Sequence, residues 1–317
     1  MPRSGDALAA AGGTSSLSIA LITDRRDWHA RELEKALAGL GARAVCVALT
    51  ACGFDTQSSF GLSIAGFRDR LPSAVLVRSM AGGSFEAVTL RLGILHALRE
   101  NRVPVINDAR AIERCVDKST TSFLLARAGI ATPATWAVES HEAAAAIVRR
   151  EIGAGPLVLK PLFGSQGRGL LLVRSEQDLP DPGAVKGVYY LQRYVGVEGS
   201  HSFRDFRLLV SQGRIVAGMA RQATSWITNV KRGGRPVAAV VDADMKALAL
   251  AAAAAVGADF AGVDVVHDAG GRPTVLEVNS MPAWSGLQKV ASANIAAILA
   301  ADLLAALGAR AGRGAAG

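Results

Sequence analysis

The chain has 317 residues, half of them hydrophobic and a fifth charged, which is enough for a large core and for two domains. Lysine and arginine exceed aspartate and glutamate by 35 − 27 = 8, and this basic balance raises the question of an anionic partner. No stretch combines basic residues with interleaved aromatics as a single-strand binding surface would, so we expect no nucleic-acid partner. The odd number of cysteines (Cys46, Cys52 and Cys115), without metal-type spacing, indicates free thiols in a reducing cytosol and hence a cytoplasmic protein.

The two ends of the chain carry weak structural signals. Residues 1–15 are too weakly apolar for a signal peptide and are predicted to be a disordered leader, and residues 311–317 a disordered tail. Residues 291–307 are the one stretch that could suggest a membrane, but they are short, mostly alanine and interrupted by Asn294 and Asp302. They predict a docked C-terminal helix and no membrane partner.

Strands and helices alternate over residues 16–112. The predicted strands and helices lie at residues 17–23, 28–40, 44–49, 74–78, 85–100 and 103–106. This alternation is typical of a small parallel α/β domain that forms one side of a cleft. Arg78 ends a strand where such sheets place ligands, so it is a candidate for binding a substrate carboxylate or phosphate. A surface salt bridge is the alternative.

A glycine-rich loop joins two strands in the next predicted unit, residues 113–187. The loop has the sequence FGSQGRG at residues 163–169, and the strand before it ends at Lys160. Such loops let backbone N–H groups approach phosphate oxygens, and because this one joins strand to strand it is not a Walker P-loop. We interpret it as a flexible flap over phosphates, with an ordinary glycine hairpin as the alternative.

A second group of strands is predicted in the unit at residues 188–310. Residues 189–195 indicate a strand and a connector whose backbone could bind an adenine edge. Arg207 and Arg221 are candidates for one sheet face, where they would suit a polyphosphate or an acyl phosphate. The alternative is that both are solvated at an exposed strand edge. A polar loop at residues 226–234 carries three further candidates: Asn229, Lys231 and Arg232.

The most informative stretch is AGVDVVHDAGGRPTVLEVNSMP, at residues 261–282. It predicts a β-hairpin whose two central turn residues are the glycines 270–271, which places Asp264 opposite Glu277. Asn279 then shares their face, and three oxygen-bearing side chains suit a hard cation such as Mg²⁺. The alternative is a pair of exposed carboxylates, which is disfavoured because facing carboxylates repel unless a cation separates them.

The motifs follow one another in a specific order: Asp-Lys-Ser before a helix, Val-Leu-Lys-Pro, Gly-Ser-Gln-Gly-Arg-Gly, Gln-Arg-Tyr, Asp-Phe-Arg, Asn-x-x-Arg-Gly-Gly, Ala-Gly-Val-Asp and Leu-Glu-Val-Asn-x-x-Pro. Over residues 113–298 this order resembles the ATP-grasp superfamily, and within it the RimK-like glutamate and amino-acid ligases. The resemblance implies an α/β (α+β) protein, in which a small parallel α/β pre-ATP-grasp domain precedes the ATP-grasp fold.

The resemblance also implies cofactors and residue roles. It implies ATP and two Mg²⁺ ions, for which Mn²⁺ could substitute, with three metal ligands: Asp264, Glu277 and Asn279. Catalytic roles around the γ-phosphate and the acyl phosphate fall to Arg207, Arg221, Asn229 and Arg232. Nucleotide binding falls to two lysines, the flap and the adenine segment: Lys118, Lys160, Gly164, Ser165, Gln166, Gly167, Gly169, Gln192, Arg193, Tyr194 and Val195.

The implied activity is carboxylate–amine ligation through an acyl phosphate, which yields an amide, ADP and phosphate. The expected substrates include glutamate and a small-molecule cofactor, peptide or protein, and the enzyme is expected to be a homo-oligomer. A D-Ala-D-Ala-type dipeptide ligase and a non-catalytic ATP-binding protein are the alternatives. Arg193 stands where relatives commonly have glutamate, residues 222–227 form a shorter segment, and Met281-Pro282-Ala283 replaces a more usual Ser-Pro-Gly, so the acceptor stays open.

Overall fold

The structure is a computed structural model that describes residues 17–164, 166–196 and 201–314, and side-chain surroundings as far as residue 308. The leader predicted at residues 1–15 lies outside the described residues. The described strands form one parallel sheet, two larger antiparallel sheets and a two-stranded hairpin. This is the mixed α/β architecture that the sequence predicts.

The N-terminal unit is built on a parallel sheet, as the alternation of strands and helices predicts. Its elements are β1 (Ser18–Ile22), α1 (Trp28–Gly39), β2 (Arg43–Val47), β3 (Gly53–Phe54), β4 (Leu62–Ser63), β5 (Ala74–Val77), α2 (Phe85–Glu100), β6 (Val105–Ile106) and α3 (Ala109–Val116). The parallel strands pair in the order β2-β1-β5-β6. Alternate residues of β1 pack on opposite sides, Leu21 with α1 and Ile22 with α2, so the central strands are apolar throughout.

The second unit carries the glycine-rich loop on an antiparallel sheet. Its elements are α4 (Lys118–Arg127), β7 (Thr135–Val138), α5 (His141–Glu151), β8 (Leu157–Lys160), β9 (Leu171–Val173) and β10 (Tyr189–Arg193), and the strands pair in the order β7-β10-β8-β9. The glycine-rich loop therefore joins β8 to β9. Because β10 pairs with β7 and β8, this sheet continues to Arg193, past the predicted unit boundary between residues 187 and 188.

The third unit is a five-stranded antiparallel sheet. Its elements are β11 (Phe203–Ser211), β12 (Arg214–Ala223), β13 (Arg235–Ala238), α6 (Ala243–Val256), β14 (Phe260–His267), β15 (Pro273–Asn279), α7 (Ser285–Gln288) and α8 (Ile295–Gly314), and the strands pair in the order β13-β12-β11-β14-β15. On β11, Phe206 and Leu208 pack in the cluster that contains α6. The opposite face of β11 carries Asp205 and Arg207 and points into the candidate site.

Buried contacts join the N-terminal unit to the third sheet. The side chain of Asn107 is fully buried, accepts a hydrogen bond from Phe260 N (2.8 Å) and donates to Phe260 O (2.6 Å) and Ser280 O (2.5 Å). These bonds satisfy backbone groups at the start of β14 and after the end of β15. The hairpin that carries the predicted metal ligands is therefore held at both ends by the N-terminal unit.

The C-terminal helix α8 docks on the N-terminal unit. Leu299 and Leu303 share one apolar cluster with Leu33 and Leu37 of α1, which confirms a docked helix. Residues 311–314, predicted as part of a disordered tail, belong to α8, so that prediction is wrong for these four positions. None of the helices in the described part of the chain has the length and apolar character needed to cross a membrane.

Candidate active site

The hairpin of β14 and β15 brings the three predicted metal ligands together. Asp264 pairs directly with Glu277 and Gly262 with Asn279, so the three side chains lie on one face of two neighbouring strands. No group of three histidine, cysteine or acidic side chains in the described residues could hold a metal; the third predicted ligand, Asn279, is an amide and lies outside those residue types. Two carboxylates and an amide oxygen are the donors that Mg²⁺ accepts, so the donor set fits that ion.

The predicted turn of this hairpin is displaced, although the pairing of Asp264 with Glu277 is confirmed. The turn spans Asp268–Gly271, with Gly271 N donating to Asp268 O (2.9 Å), so its centre lies one residue earlier than predicted. Two additional residues between the centre of the turn and Glu277 restore the pairing with Asp264. One is Gly271, whose φ of 77° is in the left-handed region, and the other is Leu276 at a β-bulge.

Asp264 lies in a buried network of two arginines and two aspartates. Its carboxylate accepts two bonds from Arg207 (both 2.7 Å), and Arg221 Nη2 lies 3.0 Å from Oδ2. Arg221 also donates from Nε to Asp205 (2.8 Å) and forms a second contact there through Nη2. The alternative of two solvated arginines is wrong, since the Arg221 side chain is only 4% exposed.

The electrostatics of this network favour its charged form. Burial opposes ionisation of Asp264, but the charges and hydrogen bonds of Arg207 and Arg221 outweigh it and hold the pKa of Asp264 at about 2. The pKa of Arg221 is raised, because its two aspartate partners outweigh the desolvation that opposes its charge. Asp205 was absent from the predicted site; its alternation with Arg207 along β11 was the available signal.

The two predicted phosphate lysines lie beside this network. Lys118 Nζ is 4.0 Å from Glu277 Oε1 and donates to Gly164 O (2.8 Å). The lysine therefore contacts both the flap and the hairpin of β14 and β15 that carries the predicted metal ligands, here called the metal hairpin. Lys160 Nζ donates to Gln192 Oε1 (2.5 Å). Burial is the main cause that lowers the pKa of Lys160 to about 8, with the charge of Lys118 adding to it and Glu277 opposing it.

The flap contacts the polar loop at residues 226–234. Gly167 has a φ of 68°, and a β-carbon there would lie 2.5 Å from Asn229 Oδ1 and 2.7 Å from Ile227 Cγ2. Only a residue without a side chain fits at this contact. Of the other predicted flap residues, Gly164, Gln166 and Gly169 are described, and Ser165 lies outside the described residues.

The predicted adenine segment starts from β10. Gln192 is 1% exposed and faces Lys160, whereas the Arg193 side chain points elsewhere and binds Glu151 (Nη2–Oε2 2.5 Å). Arg193 would therefore contribute to a nucleotide pocket through its backbone. The Tyr194 ring meets the edge of Trp226 at 6.0 Å between centroids, so this segment also contacts the 226–234 loop.

Two predicted residues have other surroundings. Arg78 is buried, with Nη2 3.1 Å from His29 Nδ1 and 3.5 Å from Asp27 Oδ2, and its guanidinium lies 5.3 Å from the centre of the Trp284 ring. The alternative of a salt bridge holds in part: Arg78 pairs with the partly exposed Asp27, but its own side chain is buried. Contact with a substrate stays a prediction. Arg232 is exposed in the short 3₁₀ turn that follows Asn229.

The family of the chain follows from comparison with known proteins. The model of the RimK-like ATP-grasp domain matches residues 115–303, which is more than half of the chain. The protein therefore belongs to the RimK-like ATP-grasp family and is an ATP-grasp ligase.

Two curated relatives are named as glutamate ligases. The chain is 32% identical over 304 residues to the tetrahydromethanopterin:alpha-L-glutamate ligase of Methanosarcina acetivorans. The alignment covers 84% of this chain and 92% of the relative. It is 33% identical over 214 residues to a probable alpha-L-glutamate ligase of Sodalis glossinidius, and this alignment covers 66% of this chain and 71% of the relative.

The solved structures include ligases with the same fold. The ATP-grasp ligase PsnB, determined with a variant of its minimal precursor, Mg and ADP, has a TM-score of 0.69 at 19% identity, covering 92% of this chain and 98% of its own. Because the sequences differ so widely, this similarity concerns the fold alone.

Proposed function

We propose that the protein is an ATP-dependent carboxylate–amine ligase that adds L-glutamate to a second substrate through an acyl phosphate. The observation that carries this proposal is one cluster: two lysines, two arginines and the hairpin carboxylates lie together beneath a glycine flap. Such a cluster holds many fixed charges at distances of a few ångströms, which is what transfer of a phosphoryl group requires.

The nucleotide is proposed to bind between the two antiparallel sheets. Lys118 and Lys160 would donate to phosphate oxygens, and the flap that carries Gly164 and Gly167 would cover them and exclude water. The backbone of residues 192–195 would contact the adenine. The bond from Lys118 to Gly164 O supports this arrangement, because it places a phosphate lysine directly against the flap.

Asp264, Glu277 and Asn279 would hold Mg²⁺. When bound there, the ion would neutralise phosphate charge and polarise the transferring phosphoryl group. Asp264 supplies an ionised carboxylate there, and the charges of Arg207 and Arg221 keep its pKa low.

Two bonds form and two break in the proposed reaction. A carboxylate oxygen of the acceptor attacks the γ-phosphorus and ADP leaves. The amine of glutamate then attacks the acyl carbon, phosphate leaves, and the proton lost from the nitrogen passes to the released phosphate or to solvent. Arg207 and Arg221 would stabilise the charge on the transferring phosphoryl group and the acyl phosphate. Asn229 and Arg232, in the loop at residues 226–234, would position the substrate beside them.

L-Glutamate is proposed as one substrate because both curated relatives described above are named for it and the first is covered over 92% of its length. The exposed basic residues Lys231 and Arg232 support an anionic partner. The acceptor is proposed to be a carboxylate-bearing cofactor, peptide or protein.

The test is ADP release from Mg·ATP with L-glutamate and a panel of carboxylate acceptors, followed by mass spectrometry of each product. We expect ADP only with a matching acceptor, whose product is heavier by one glutamyl unit. Glu277→Gln should remove this activity, whereas Glu176→Gln, in an exposed ion pair with Arg149, serves as the matched carboxylate control. Glutamate-independent product formation would refute the proposed substrate, and absence of ATP binding would refute the proposed activity.

A further inference from the structure

His29 lies at the contact between the N-terminal unit and the segment that follows the metal hairpin. It is the second residue of α1 and is 7% exposed. Its Nε2 is 3.2 Å from both Trp284 N and Ser285 N, and these two backbone groups donate to it. The ring also packs edge-on against Trp284, with centroids 4.5 Å apart.

These two bonds fix the protonation state of the ring. An imidazole nitrogen that accepts hydrogen bonds carries no proton, so the proton of neutral His29 lies on Nδ1. There it donates to Asp27 Oδ2, 3.0 Å away. Arg78 Nη2 lies 3.1 Å from the same nitrogen, but it can only donate, so in this protonation state it acts on the ring as a nearby charge and not through a hydrogen bond. A doubly protonated ring would direct a second N–H at the two backbone N–H groups, and both would lose their acceptor.

The segment held by His29 contacts two parts of the candidate active site. Ser285 begins α7, where Gly286 lies against the 226–234 loop: a β-carbon on Gly286 would be 3.6 Å from Val230 Cγ2. Pro282 lies against the metal hairpin in the same way, 2.8 Å from a β-carbon built on Gly262. Residues 282–288 thus lie between His29 and the residues proposed to bind substrate.

We propose that His29 is a positioning residue: its neutral imidazole holds Trp284 and Ser285 and thereby sets the place of the substrate loop at residues 226–234. The inference rests on the proposed function for the identity of that loop, and it adds a residue outside the ATP-grasp sheets. His29 touches no substrate; it acts through the two backbone groups and through Gly286, which lies near Val230 of the loop.

The charges around His29 set the pH range in which it works. Asp27 favours protonation of the ring, whereas Arg78 and Lys231 oppose it, and Trp284 brings no charge. Burial is the largest cause that lowers the pKa of His29, and the charge of Arg78 adds to it. The ring is therefore fully neutral above the ordinary histidine pKa of 6.5. As the pH falls below that value, the ring becomes protonated and the hydrogen bonds from Trp284 N and Ser285 N to Nε2 are lost.

Two substitutions separate the acceptor from the rest of the side chain. His29→Gln places an amide oxygen near the position of Nε2, whereas His29→Asn ends near Nδ1, keeping a partner for Asp27 and losing the acceptor. We expect His29→Asn to lower the hydrogen-exchange protection of Trp284 and Ser285 by about tenfold and raise the acceptor KM by a similar factor, since the buried Trp284 N and the partly buried Ser285 N lose their acceptor. The KM for ATP should not change, and His29→Gln should restore both values to within about twofold.

The exchange measurement needs no substrate, so it separates this inference from the proposed ligase activity. Equal protection of the two amides in the wild-type protein and His29→Asn would overturn the inference, as would His29→Gln behaving like His29→Asn while circular dichroism shows a native fold. In the wild-type protein, the protection of the same amides, corrected for intrinsic exchange, should fall with pH below 6.5. A pH-independent protection would overturn the inference even if His29→Asn failed to fold.

Discussion

Replacing Gly167 with alanine tests whether the flap must contact the substrate loop during turnover. Two independent costs act on the closed position of the flap. A non-glycine residue at a φ of 68° costs about 1 kcal/mol, and a β-carbon 2.5 Å from Asn229 Oδ1 forces a shift that costs about 2 kcal/mol more. Because the flap can open, these costs should reduce the closed population and leave the fold intact.

A total of about 3 kcal/mol corresponds to a fall of about 150-fold in turnover, at 1.4 kcal/mol for each factor of ten. Gly213 offers a matched control, because it also has a positive φ (70°) and a β-carbon there would meet nothing within 4 Å. Gly213→Ala should therefore cost about 1 kcal/mol of stability and leave turnover unchanged. The difference between the two variants isolates the contact with the loop.

The assay combines ADP release with calorimetric binding of Mg·ADP. We expect Gly167→Ala to lose turnover while its affinity for Mg·ADP falls by less than about threefold, since the lysines that would bind the phosphates are unchanged. Turnover within threefold of the wild-type value would refute the contact as a requirement for catalysis. An equal loss of affinity and turnover would show that the flap serves nucleotide binding alone.

The other predictions concern charges in the site. The affinity for ATP should fall as the pH rises through about 8, because Lys160, whose pKa burial lowers, then loses the charge that binds phosphate; a KM for ATP that is constant from pH 7 to 10 would contradict this. Arg221→Met leaves the carboxylates of Asp205 and Asp264 buried with less positive charge beside them, and it should lower the unfolding free energy by about 3 kcal/mol in urea titrations. The control is Arg272→Met, which removes one partner of an exposed ion pair and should change the unfolding free energy by less than about 0.5 kcal/mol. Glu277→Gln should abolish ADP release while thermal unfolding shows a folded protein, and measurable turnover in that variant would remove Glu277 from the site.

The hairpin shows how far a sequence pattern predicts a site. The alternation of valines with Asp264 and Glu277 fixes which face each side chain takes, because a slip of one residue would bury the carboxylates among apolar side chains. The turn could not be placed, since either glycine of the pair can adopt a positive φ. The bulge at Leu276 has no signal in the local residue pattern, since it follows no glycine or turn sequence.

The contacts missed by sequence reasoning are those between residues far apart in the chain. Asn107 binds Phe260 and Ser280 across more than 150 positions, and His29 binds Trp284 across 255. Motif order brought the candidate residues of the ATP-grasp sheets to attention, and their chemical roles stay a prediction. It carried no information about the interior contacts that place the N-terminal unit against them, nor about the burial of Arg78.

The charges of the site also bear on the order in which metal and nucleotide bind. Asp264 already accepts two bonds from Arg207 and lies 3.0 Å from Arg221, so a cation approaching it alone meets two guanidiniums and gains little. Phosphate groups supply anions for those guanidiniums and for Lys118, which lowers the repulsion. We therefore expect Mg²⁺ alone to bind weakly and Mg²⁺ with ADP to bind tightly, which isothermal titration of each can measure. Tight binding of Mg²⁺ without nucleotide would show that the arginine pairing of Asp264 does not control access to the metal site.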